Sequence, residues 1–324
     1  MILIGDLEEY KLNLMEDLRP NLDFYKRLLE NIKKFTSVDL IDLNNNDRDK
    51  LIKTVQFSLN RLFKFLPLQC ENIKGRTILR CRKEDVNKPY ESLADLSYNK
   101  HYPEKIKITR LGIDCEALFY GTFRKRRDLY NLVENIGKCF YEVKHQDTFN
   151  VEEDVYFNCG EWNVLKNINC ICLYDFDNVI DELKYVIGQF DFAIDLISDF
   201  YKLINYNMMK VEDSGDSRYY IFGNMIRLAC DDYFKNNVKE KIEIGGFTYL
   251  SVQNYGDVLN TCIFPKFIEN GEIQFKKAYR LHSILGHADN KIVFSMDKIG
   301  YPFDNGNLKW MDANFVASLM VEGL

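Results

Sequence analysis

The chain has 324 residues, 46% of them apolar and 28% charged, with a formal net charge of −6. That composition excludes a disordered chain, and the negative balance gives no support to nucleic-acid binding, which needs a basic face. No run of about 18 apolar residues exists, so no transmembrane helix is expected. The N-terminus reads Met1-Ile2-Leu3-Ile4-Gly5, turns acidic at once and predicts no secretory leader. Nine cysteines are scattered without a CxxC pair, which fits reduced thiols in a cytoplasmic compartment. Four histidines without metal-like spacing predict no metal site.

Residues 7–68 read as helical. Phe24, Leu28, Leu29 and Ile32 fall on one face, and Ile52, Val55, Leu59, Leu62, Phe63 and Leu66 on another. Between them Asn44-Asn45-Asn46-Asp47 is a polar turn able to cap the second helix. The pattern predicts a helical hairpin over 1–75. From Arg76 it shifts to short β-prone stretches at 77–82, 105–110, 116–121, 138–144 and 168–174. A long helical run carries Val179, Leu183, Val186, Ile187, Phe190, Ile194, Ile197 and Phe200, and another helix is predicted over 218–236. Gly245-Gly246 reads as a turn into 247–252, followed by a strand at 259–264. Residues 269–324 read as a C-terminal extension of short strands and Gly turns. The expected class is α+β, with a mixed sheet core, flanking helices and an N-terminal helical extension.

Several polar residues stand out, each with a bland reading beside the functional one. Arg80 and Arg82 flank Cys81, so on a strand they share one face. That is either a solvated face or a pair of forks for phosphate oxygens. Arg110 precedes a Gly112–Asp114 turn that leads into a strand ending at Tyr120, which is a half-buried core aromatic or the wall of a cavity. Glu134 sits in a helical stretch between apolar neighbours, and Ser251 in a strand. Arg124-Lys125-Arg126-Arg127 is a solvated loop or an attachment point for an acidic partner or phosphates.

Their order and local sequence resemble the RES-domain family, toxins of bacterial toxin–antitoxin pairs. The matching elements are Ile78-Leu79-Arg80, Arg110 with Phe119-Tyr120-Gly121-Thr122, and Leu132-Val133-Glu134. Further matches are Cys159-Gly160-Glu161-Trp162-Asn163-Val164 and Gly246-Phe247-Thr248-Tyr249-Leu250-Ser251 before Pro265. The resemblance spans about 76–268 and implies a fold similar to ADP-ribosyltransferases and the degradation of NAD by hydrolysis or phosphorolysis. It implies Glu134, Arg110 and Ser251 as catalytic residues and Arg80, Arg82 and Tyr120 as substrate-binding residues. NAD is then a substrate, with phosphate as co-substrate in the phosphorolytic case and no cofactor. An antitoxin protein and self-association are the expected partners, and neither a membrane nor nucleic acid is. Breaking the nicotinamide–ribose bond builds positive charge on the sugar, which a carboxylate stabilises. Transfer of ADP-ribose to a macromolecule, or an inactive interaction module, are the alternatives.

Overall fold

The computed structural model describes residues 2–3, 7–38, 40, 42–84, 90–98, 111–112, 116–124, 132, 135–140, 155–174, 176–208, 218–237, 242–251, 258–286 and 291–320. The chain divides into two units, each assembled from separated stretches. One comprises 1–71, 104–116 and 169–244, and the other 72–103, 117–168 and 245–324. The linear boundaries expected from sequence, 1–75, 76–268 and 269–324, do not coincide with these units. The reason is that the chain passes between the units several times.

The first unit is mainly helical. After β1 (Ile2–Leu3) come α1 (Leu7–Asn13), a π-helical stretch at Leu14–Leu18, α2 (Leu22–Ser37) and α3 (Asn45–Leu62). Helix α2 buries Leu28, Leu29, Ile32 and Phe35, and α3 buries Val55, Leu59 and Leu62. The two apolar stripes pack on one another, as their spacing predicts. Asn44 starts α3: its side-chain oxygen accepts from the Asp47 amide at 3.0 Å, satisfying one of the orphan donors of a helix start. Strand β2 (Leu68–Asn72) lies between β1 and β6 (Asn169–Leu173). The apolar run read as one long helix is two, α6 (Phe176–Ile187) and α7 (Asp191–Met208), parted near Gly188, a residue of poor helix propensity. Helix α8 (Arg218–Asn237) follows the prediction closely. Its Arg227 donates to both Glu116 carboxylate oxygens at 3.1 and 3.2 Å and to the Leu111 carbonyl at 3.1 Å. Among the described residues no helix is long and apolar enough to cross a membrane.

The second unit is built on antiparallel strands. They are β3 (Thr77–Lys83), β4 (Phe119–Phe123), β5 (Val155–Val164), β7 (Ile244–Leu250), β8 (Leu259–Ile263), β9 (Ile273–Gly286), β10 (Lys291–Pro302) and β11 (Leu308–Met320). Their spatial order is β7-β8-β4-β3-β5-β9-β10-β11. Helices α4 (Leu93–Leu96), a short α5 over 135–140 and α9 (Pro265–Glu269) accompany them. The α+β class expected from the sequence is the class observed.

Three local expectations change. Residues 138–140 are helical rather than extended, because Ile136, Cys139 and Phe140 fall at helical spacing and all enter the core. Gly245-Gly246 is no turn but the start of β7. A Cβ on Gly246 would overlap the Cys262 carbonyl across the ladder, so the absence of a side chain lets β7 and β8 pair. The extension after 269 consists of strands of 14, 12 and 13 residues rather than short ones. Gly300 lies inside β10, whereas true turns occur at Gly271 and Gly306, with φ of 70° and 78°. The stretch 105–110 lies outside the described residues.

Candidate functional site

Side chains alternate across a strand, so Arg80 and Cys81 point to opposite faces of the second unit's sheet. On the Arg80 face, the ladders align residues from distant parts of the sequence into successive rungs. The first rung runs Arg80, Gly160, Ala278, Gly300 and Trp310. The second runs Arg82, Asn158, Arg280, Lys298 and Asp312. In the third, the Glu84 amide donates to the Tyr156 carbonyl at 2.8 Å, and Tyr156 pairs with His282.

The glycines of the first rung leave room that indole rings fill. A Cβ at Gly160 would stand 2.8 Å from Trp162 Nε1, and one at Gly300 2.9 Å from the Trp310 ring. Trp162 meets Phe119 and Phe275 edge-on, at ring distances of 5.2 and 5.1 Å. Arg80 lies over Phe119 at 5.3 Å, and its Nη1 donates to the Tyr120 carbonyl at 2.6 Å. The second rung is polar. Glu84, almost wholly buried, accepts from Asn158 Nδ2 at 2.9 Å and Arg280 Nε at 2.8 Å. Arg280 also donates to Asp297 at 3.3 Å and lies over the Tyr156 ring at 5.0 Å. That ring in turn stacks on His282 at 4.4 Å.

This face also holds most of the unit's unsatisfied polar atoms. Arg80 Nε, Glu84 Oε1, Asn158 Oδ1, Trp162 Nε1 and Asp297 Oδ1 are buried without a hydrogen-bond partner among the described residues. Such atoms are uncommon in folded proteins and each calls for a reason. Neither Arg80 nor Arg82 has a carboxylate within ion-pair distance among the described residues, whereas Arg280 has two. Burial, and then the neighbouring Arg82 charge, press the Arg80 guanidinium down to about 9. Burial likewise lowers Arg82, against the opposing pull of Tyr90 and Asp95. A half-buried charge without an ion-pair partner is unfavourable, and an anion seated on such forks would relieve it.

The sequence-predicted residues separate. Arg80 and Arg82 share this face, as their spacing requires. Tyr120 is half-buried on the other: it is two residues from Thr122, which pairs with Leu79 and bonds Asn260 at 2.9 Å. Ser251 is fully buried just beyond β7, in line with Tyr249, which pairs with Asn260. Its amide donates to the Val258 carbonyl at 2.8 Å. The register thus places Tyr120 and Ser251 away from the arginine face. Arg110 and Glu134 lie outside the described residues, as do residues 125–127 of the basic run. Arg124 is described and meets Glu161 at 3.3 Å.

On the Tyr120 face, Glu161 is fully buried and also accepts from Lys276 at 2.8 Å and Tyr279 at 2.5 Å. Burial alone would raise its carboxyl. The bonds from Lys276 and Tyr279, with the charges of Lys276 and Arg124, outweigh this and leave it below the ordinary range. Beside it Cys81, Cys139 and Cys159 converge, their sulfurs all within 4.8 Å of one another. A cavity of about 360 Å³ in the helical unit is lined by α2 and α7 residues such as Lys26, Glu30, Lys33 and Asp199. None of the buried unpaired atoms belongs to it, and Lys33 and Glu30 there neutralise one another at 2.7 Å.

Glu84, Asn158, Arg280 and the two tryptophans are the site residues that local sequence reading misses. Only Glu84 has a local signal: Arg80, Arg82 and Glu84 lie at i, i+2, i+4. No family model, curated protein or solved structure matches the chain.

Proposed function

We propose that the second unit binds a phosphate-bearing nucleotide on the arginine face, and that the nucleotide is NAD, cleaved at its nicotinamide–ribose bond by hydrolysis or phosphorolysis. The observation that carries the binding is the half-buried Arg80–Arg82 pair, which has no carboxylate partner among the described residues and lies in line with Asn158 and one rung from Glu84, each with an unused oxygen. Guanidinium forks suit the oxygens of a pyrophosphate or of an attacking phosphate. Glu84, with one oxygen held by Arg280 and Asn158 and the other unused, would face the positive charge that develops on a ribose ring. The choice of NAD rests on the ordered resemblance to RES toxins, which also assigns Arg110 and Glu134. A toxin or defence role, in the cytoplasm and under the control of an antitoxin, is part of the same proposal.

The deciding experiment follows NAD loss by the full chain with and without inorganic phosphate, together with calorimetric binding of NAD and ADP-ribose. Arg82→Ala is expected to weaken both ligands by roughly tenfold or more, the worth of a charged hydrogen bond. Glu84→Gln should retain binding and lose turnover; if Glu134→Ala does so instead, the carboxylate role moves to Glu134. Folded protein that binds neither NAD nor ADP-ribose refutes the reading.

A further inference from the structure

We propose that Cys81, Cys139 and Cys159 form a three-thiolate site for a soft monovalent cation, copper(I), on the sheet face opposite the arginines. The positions are distant in sequence, and the fold alone brings them together. Cys81 and Cys159 are direct partners in the β3–β5 ladder, a relation that sets their β-carbons about 5 Å apart. Cys139 is delivered from above by α5, where its sulfur sits 3.5 Å from the Leu79 carbonyl. All three sulfurs lie within 4.8 Å of one another, all three residues are buried, and none is in a disulfide.

The surroundings select the ion. Among the described residues no histidine or carboxylate joins the sulfurs as a fourth donor. The walls are mostly apolar, formed by Leu79, Leu132, Ile136, Phe140 and Phe157, with the Glu161 carboxylate, held by Lys276 and Tyr279, beside Cys159. Structural zinc takes four ligands in tetrahedral geometry, which this set does not supply. Soft thiolates select copper(I), and the thioether of Met296 belongs to the same buried cluster. Each sulfur that coordinates releases its proton to solvent, so three thiols and one copper(I) ion leave a complex with two negative charges. Arg80, on the far side of the strand, interacts electrostatically with Cys139 and offsets part of that charge, while Glu161 beside Cys159 adds to it. Buried cysteines often act only as small apolar side chains; convergence of three sulfurs on one point goes beyond that role.

The test uses the full reduced chain, titrated anaerobically with copper(I) against a chromophoric copper(I) chelator, and separately with zinc(II). One copper(I) per chain is expected, with a near-ultraviolet sulfur-to-copper absorption and a raised melting temperature. Cys139→Ala and Cys159→Ser should each lose at least tenfold in affinity, while Cys230→Ala, a buried cysteine of the other unit, should leave it unchanged. X-ray absorption should show sulfur-only coordination in the wild type, a readout independent of variant folding. The proposal is overturned if folded wild type takes up no copper(I), if zinc(II) outcompetes it, or if Cys139→Ala binds as the wild type does. Isolation of the reduced-competent chain with a disulfide among the three and no later copper uptake would also overturn it, in favour of a thiol switch.

Discussion

Replacing Arg80 with methionine should stabilise the ligand-free protein while destroying its affinity for phosphate-bearing ligands. A guanidinium ordinarily stays charged to far higher pH than this one, and each pKa unit is worth about 1.4 kcal/mol. Being pressed to about 9 therefore corresponds to a penalty on the order of 4–5 kcal/mol for keeping Arg80 charged in the fold. Against this stand its hydrogen bond to the Tyr120 carbonyl and its place over the Phe119 ring. These are worth roughly 1.5–3 and about 1 kcal/mol respectively. The net gain expected for Arg80→Met, a chain of similar length without charge, is about 1 kcal/mol at pH 7. The folded state disfavours the charged form, so the penalty is fully present below about pH 9. It fades as the pH rises from there towards the unfolded-state value. The advantage of the variant over wild type should accordingly be constant from pH 7 to 8 and shrink between pH 9 and 10. Urea unfolding of both proteins across that range measures it, with calorimetry of ADP-ribose binding alongside. A variant less stable than wild type by 1 kcal/mol or more at every pH, or one that still binds ADP-ribose, refutes the reasoning.

Two further perturbations probe the frame of the second unit. Glu161→Gln leaves Lys276, Tyr279 and Arg124 facing a neutral amide and should destabilise the protein by about 3 kcal/mol at pH 7, the usual effect of breaking a buried ion pair. Because the folded carboxyl lies below its ordinary value, its contribution is present above that value and lost as the pH falls through the lowered one. Acid unfolding should thus be flatter in the variant below about pH 4. Gly246→Ala sets a methyl group against the Cys262 carbonyl and should cost about 2–3 kcal/mol in urea unfolding. An unchanged midpoint would show that β7 and β8 can separate freely.

Helices were the most legible part of the fold, because a helix announces itself within its own length. The stripes on α2 and α3, the Asn44 cap and the α8 boundaries all follow from residues a few positions apart. Strand faces were half legible. Alternation is enough to put Arg80 and Arg82 together and, carried two residues further, reaches Glu84. Which face Tyr120 takes depends on its register against Leu79 and Asn260, set by pairings between strands far apart in the chain. Asn158, Arg280 and Trp310 join the site for the same non-local reason, and the spacing of Cys81, Cys139 and Cys159 holds no sign that they meet. Glycine misleads when its role is close approach: Gly246 and Gly300 look like turns and are flat strand positions under a carbonyl and an indole.

The rung that joins Arg82, Asn158, Arg280 and Lys298 has a consequence in time as well as in space. Its members are drawn from strands far apart in the chain, so the rung is complete only once β9 and β10 have been synthesised and have paired. Pairing at such separations is slow to nucleate. The ribosome therefore carries a chain with Arg80, Arg82 and Asn158 already made but without the Arg280 bond that completes the hold on Glu84. A nascent or truncated chain that stops short of β9 holds the pieces of the arginine face without the face. The complete arginine face is withheld until the final strands dock.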